Sequence, residues 1–164
     1  MIEHQIIDDV LPSEQFKLLT NIVKELNYKY VPWVSDKTDK DDNRNYYFLH
    51  LLYNHDTPIS SSFAYIMNIL GKYIPDLRSL IRVKVNLFPW THEIYEHSKH
   101  VDYDFTVKSA LISINTCNGY TRLDSDTTVD SIANRMLIFD SSNPHNSTTT
   151  SNAKGRFNLN INYL

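Results

Sequence analysis

Disulfides, a basic surplus and a membrane-length apolar run are all missing from this chain. Its one cysteine, Cys117, has no partner for an intramolecular disulfide, which points to a reducing compartment or to indifference to redox. Lys and Arg number 16 against 19 Asp and Glu, a net charge of −3, so no global basic field favours nucleic acid. No apolar run approaches the ~20 residues that cross a bilayer. Met1-Ile2-Glu3-His4 lacks the basic-then-apolar pattern of a secretory leader. Glycine is scarce, with 3 residues, while Asn and Tyr are plentiful, a bias in keeping with an AT-rich genome. There is no internal repeat, low-complexity tract or second-domain signal. The expectation is one soluble, cytoplasmic domain over residues 1–164, without a membrane partner.

Within that domain, helices come first and strands after. Residues 3–10 predict a short strand centred on Ile6 and Ile7. Leu11-Pro12-Ser13-Glu14 predicts a helix start with Ser13 as N-cap, and Phe16, Leu19, Ile22, Val23 and Leu26 recur at helical spacing. Residues 35–45 are polar, charged and nonperiodic, the composition of a solvated loop or of a substrate-covering lid flanked by Trp33, Tyr46 and Tyr47. A second helix is predicted from Pro58 to Tyr73, ending at Gly71 and Pro75. Residues 81–87 then alternate, Val83, Val85 and Leu87 opposing Arg82, Lys84 and Asn86. The end of the chain repeats the scheme, Phe157, Leu159, Ile161 and Tyr163 opposing Arg156, Asn158, Asn160 and Asn162. Between them, residues 105–115, 120–123, 127–132 and 135–140 predict further strands. Helices followed by short antiparallel strands fit a mainly β domain with flanking helices, a double-stranded β-helix or jelly roll. Residues 1–80 would pack on a core formed by 81–164. If helices cover the outer face, the polar sides of the first and last barrel strands line a polar cavity.

The chemistry centres on His100-Val101-Asp102. On extended chain, positions i and i+2 point to the same face, so an imidazole and a carboxylate can converge on one ion. A second histidine, His145, follows the apolar strand that ends at Asp140, and Arg156 opens the last strand. Two His and one carboxylate with open positions beside them is the ligand set of non-haem Fe(II) oxygenases. A buried Arg needs an anion, and its guanidinium matches a carboxylate bidentately.

On these residues the chain resembles the 2-oxoglutarate/Fe(II)-dependent dioxygenases, most closely the small prolyl-4-hydroxylase-like members found in phage genomes. The resemblance covers most of the chain and would place it in a host cytoplasm. It implies Fe(II) held by His100, Asp102 and His145, with 2-oxoglutarate as cosubstrate bound at its far carboxylate by Arg156, and O2 as oxidant. The implied activity hydroxylates an unactivated C–H bond of a peptidyl, prolyl-like residue or a small molecule and releases succinate and CO2. Related hydroxylases often carry a Tyr on the strand after the H-x-D pair; here Ser113 stands at the corresponding position, and Asn86 is a second candidate cosubstrate contact.

Other arrangements compete with this one. His97 and His100 would suit a helical zinc site at i, i+3, but Tyr95, Val101, Tyr103 and Phe105 favour extended chain, where i and i+3 face apart. His4, His50 and His55 are expected to be structural. Cupin barrels typically need an H-x-H pair, and none occurs. A noncatalytic jelly-roll binding or virion-associated module would keep the barrel and have no need of metal. Substrate identity and oligomeric state are not encoded in any motif of the chain.

Overall fold

The computed structural model describes residues 3–35 and 42–164. Their elements run β1 (His4–Ile7), α1 (Ser13–Lys24), β2 (Lys29–Val31), β3 (Tyr47–Asn54), β4 (Thr57–Pro58) and α2 (Ser62–Leu70), with a 3-10 turn at Gly71–Tyr73. Then follow β5 (Leu80–Pro89), β6 (Lys108–Ser113), β7 (Tyr120–Arg122), β8 (Thr128–Asp130), β9 (Met136–Asp140), β10 (Asn146–Ser147) and β11 (Gly155–Tyr163). The larger sheet is antiparallel in the order β1-β9-β6-β11-β5-β3-β2, with β4 on β3; the smaller is β10-β7-β8. The segment before Asp102 widens the smaller sheet. His100 and His145 exchange both backbone hydrogen bonds at 2.9 Å, and His97 N–H donates to the Ser147 carbonyl. The fold is mainly β with two flanking helices and a double-stranded β-helix core.

The alternation on β5 and β11 decides how these layers sit. Val83, Val85, Leu159 and Ile161 are fully buried against Leu19 and Val23 of α1 and Ile66 and Leu70 of α2. Each such aliphatic side chain contributes roughly 1.5–3 kcal/mol on removal from water. The opposite faces of the same strands carry Lys84, Asn86, Asn158 and Asn160, and these line a cavity between the sheets. The polar stripe therefore turns inward, as the covering helices require.

Several local expectations need correcting. Ser13 is the first helical residue and not the cap: Pro12 holds the cap position, without a side-chain cap bond, and its carbonyl accepts the Phe16 N–H at 2.9 Å. The second helix begins at Ser62, since Thr57 and Pro58 pair back onto β3. The two residues between those strands, His55 and Asp56, both take positive φ (44° and 60°), as a two-residue hairpin turn demands. Strands β2 and β3 were not foreseen. The strands predicted over 105–115 and 127–132 shorten to β6 and β8. Most of the expected lid or solvated loop, residues 36–41, lies outside the described residues.

Candidate active site

Among the described residues, His100, Asp102 and His145 form the one group of three whose donor atoms could share a metal, all within 4.8 Å of one another. Backbone pairing brings the two histidines side by side, with ring centroids 4.4 Å apart. Phe139 packs edge-on against His145 at 5.0 Å. His145 Nδ1 lies 3.0 Å from the Asn143 carbonyl. A carbonyl only accepts, so Nδ1 carries the proton and Nε2 keeps its lone pair free for a metal.

Asp102 is anchored from the larger sheet. Its Oδ2 accepts from Asn162 Nδ2 at 2.9 Å and from Asn160 Nδ2 at 3.3 Å, while Oδ1 lies 3.2 Å from Arg82 Nη2. Asn162 is held in turn, donating to Ser109 Oγ at 2.6 Å and accepting from Arg82 Nε at 3.1 Å. Burial opposes the charged form of Asp102, but Lys84, Arg82, His145 and the Asn162 hydrogen bond outweigh it and hold the carboxyl well below the usual range. Burial and the neighbouring His145 push His100 down to about 4, and burial also lowers His145. Two neutral imidazoles and one carboxylate are the protonation states that metal ligation needs.

The triad opens on a cavity with about 470 Å³ of non-protein space, counting the part open to solvent. Val34, Tyr47, Phe88, Leu111 and Phe139 give it apolar walls. Asn86 lines it too, donating from Nδ2 to Asn158 Oδ1 at 2.9 Å, with its own Oδ1 buried and without a partner. Ser113 is buried opposite Asn158 but lies outside the lining, beyond Leu111 on the same strand face.

Arg156 is 1% exposed and stands behind the cavity wall at the end away from Asp102. Its guanidinium donates to Ser131 Oγ at 2.6 Å, to Thr121 Oγ1 at 2.8 Å and to the Thr148 carbonyl at 3.2 Å, all neutral acceptors. It also lies over the Phe88 ring. No carboxylate pairs with it among the described residues. Burial lowers it to about 10, so the charge persists at neutral pH. Thr121 and Phe88 belong to the cavity lining, which puts the cation directly behind that wall.

His97 stands apart from the triad. It is buried between Phe88 and Tyr95, its Nδ1 3.0 Å from the Ser147 carbonyl, and burial pushes it down to about 4. Lys84, Thr121, Asn160 and Asn162 are the site residues that motif reading passed over. The signal for three of them was available in the alternating stripe, whose polar members all turn inward. Lys84 is lowered to about 8 by burial and by Arg82, with Asp102 opposing.

No family model matches the chain, and no curated protein matches it in sequence. Solved structures do share its fold. A prolyl-4-hydroxylase from Pseudomonas putida superposes with a TM-score of 0.64 at 15% identity, over 99% of this chain and 93% of that one. A 2OG-Fe(II) oxygenase family oxidoreductase from Burkholderia pseudomallei gives 0.69 at 9%, over 98% and 84%. HygX from Streptomyces hygroscopicus, solved with nickel, 2-oxoglutarate and hygromycin B bound, gives 0.65 at 11%, over 99% and 82%. At these identities the likeness is one of fold.

Proposed function

We propose that this chain, whose fold is that of the 2-oxoglutarate/Fe(II) oxygenases, is a single-domain dioxygenase that hydroxylates a C–H bond of a peptidyl, prolyl-like or small-molecule substrate. The observation that carries this reading is one cavity with two complementary ends. At one end two neutral imidazoles and a carboxylate converge; behind the other wall sits a buried guanidinium that meets no anion among the described residues. In this reading a dicarboxylic oxoacid spans the two, one end at the metal and the other toward Arg156. Fe(II) with 2-oxoglutarate and O2 would supply the oxidising power, with succinate and CO2 as coproducts.

The chain's own contribution is positional. Asn143 fixes the tautomer of His145, Asn160 and Asn162 aim Asp102, and Thr121 and Ser131 hold Arg156 in place. Phe88, Phe139 and Leu111 limit water beside the reacting centre. Asn86 is a further cosubstrate contact in this proposal, and Ser113 takes part only if cosubstrate binding draws it toward the cavity. The small prolyl-hydroxylase-like subgroup rests on the sequence motifs.

The test is an anaerobic titration of the metal-free protein with Fe(II) and then 2-oxoglutarate, followed by the visible charge-transfer band of an iron-chelated oxoacid. A band that vanishes in His145→Ala and needs at least ten times more 2-oxoglutarate in Arg156→Ala supports the assignment. No band and no bound metal would overturn it and leave a noncatalytic barrel.

A further inference from the structure

The cavity holds a second cation that the cosubstrate does not require. Lys84 projects from β5 into the cavity, opposite Asn160 on β11 and two positions from Asn86. Among the described residues no carboxylate lies within ion-pair distance of its ammonium, although Asp102 is near enough for the two to act on each other's charge; the Tyr47 ring centroid is 5.9 Å from Nζ. Arg82 and two asparagines already occupy the Asp102 carboxylate, which leaves it no direct hydrogen bond to Lys84. A divalent metal with Arg82, Lys84 and Arg156 carries more positive charge than Asp102 and a dicarboxylate cancel. The surplus lies beside the reacting centre.

The groups next to Lys84 are acceptors. Asn160 turns its Nδ2 to Asp102 and Asn86 turns its Nδ2 to Asn158, which leaves both Oδ1 atoms buried without partners. A cation flanked by two orphaned carbonyl oxygens fits a molecule carrying an anionic oxygen group next to an N–H or O–H. An uncharged prolyl ring offers neither.

We propose that Lys84 anchors an anionic group of the substrate, carboxylate or phosphate, so that the molecule hydroxylated is a small polar acid and not a neutral peptidyl proline. This rests on the dioxygenase reading above, since the cavity is shared with 2-oxoglutarate.

The experiment uses Zn(II)-loaded protein, which is diamagnetic and redox-inert, first saturated with 2-oxoglutarate. Acetate, methyl phosphate and acetamide are then titrated in while backbone amide shifts along residues 82–88 are followed. Acetate or methyl phosphate should give saturable shifts that acetamide does not, and the stronger of the two names the anion. Lys84→Gln and Lys84→Met should weaken that response at least tenfold, and Lys84→Arg should retain it. Equal responses to acetate and acetamide, or none, would overturn the proposal. So would a tenfold loss of 2-oxoglutarate affinity in Lys84→Gln, because Lys84 would then hold the cosubstrate. If 2-oxoglutarate fails to bind at the first step, the dioxygenase reading falls. The same anion titration on the Zn(II) protein alone then decides the Lys84 site by itself.

Discussion

Asn162 Nδ2 and Asp102 Oδ2 are 2.9 Å apart, and that hydrogen bond ties the carboxylate of the triad, on a loop, to the last strand of the larger sheet. The same amide donates to Ser109 and accepts from Arg82, so its orientation is over-determined.

Replacing it should be felt by the metal first. Asn162→Ala leaves Asp102 with Asn160 and Arg82 but frees its rotation. Removal of such an outer partner typically costs 10–100-fold in metal affinity. Competition titration with Co(II) should show a loss of that size, with 2-oxoglutarate affinity at saturating metal changed far less.

Gly119 should control the opposite end. A Cβ there would lie 2.6 Å from the Thr149 carbonyl and 2.7 Å from Arg156 Cδ. Gly119→Ala must therefore displace backbone or the Arg156 stem, at a cost of about 1–3 kcal/mol. The expected result is weaker 2-oxoglutarate binding with near-normal metal affinity; an equal loss of both would show that the whole barrel had shifted.

Stability should fall below neutral pH through His97, a buried residue outside the triad. Its folded value, about 4, lies below the ordinary 6.5, so the unfolded chain binds more protons between the two. The contribution is fully present above pH 6.5 and is lost progressively as pH falls toward 4. Between pH 7.5 and 5 this amounts to about 2 kcal/mol on the linkage relation. Urea unfolding at the two pH values should show the difference, and His97→Gln should reduce it.

Ligand linkage gives a fourth check. With Zn(II) bound and 2-oxoglutarate at 100 times its dissociation constant, the folded state should gain about 2.7 kcal/mol. Arg156→Met, weakened at least tenfold, should lose at least about half of that increment at the same concentration while Zn(II) still stabilises the protein. Thermal unfolding with and without the oxoacid measures it.

The parts of the molecule legible in advance were those where residue spacing and chemistry coincide. The alternation from Arg82 to Leu87 and from Arg156 to Tyr163 located the first and last barrel strands, and with the covering helices it implied that their polar sides face inward. The proximity of His100 and Asp102 was legible because i and i+2 share a face on extended chain, and the structure brings His145 beside them, with donor atoms within 4.8 Å. Strand β3 was not legible: Tyr47-Phe48-Leu49-His50-Leu51-Leu52-Tyr53 has apolar residues on both faces and a register shift near Leu52, so no period-two signal survives. The hairpin after it hid in His55-Asp56, a pair without the glycine that usually follows Asn or Asp in a two-residue turn, although both adopt positive φ. Lys84 was visible as a member of the stripe, but its lack of a direct ion pair depends on neighbours that meet only in three dimensions.

Strand β11 has no side that faces water. Leu159 and Ile161 are fully buried under the helices, Asn158 and Asn160 are buried at the cavity, and Asn162 is buried against Asp102. Alternate letters of one short segment thus spell two separate messages, one for cohesion and one for chemistry. Point substitutions can revise either message while leaving the other intact, which gives the scaffold freedom to acquire new substrates without relearning how to fold. An inserted or deleted codon has no such freedom, because it exchanges the two messages for every residue downstream.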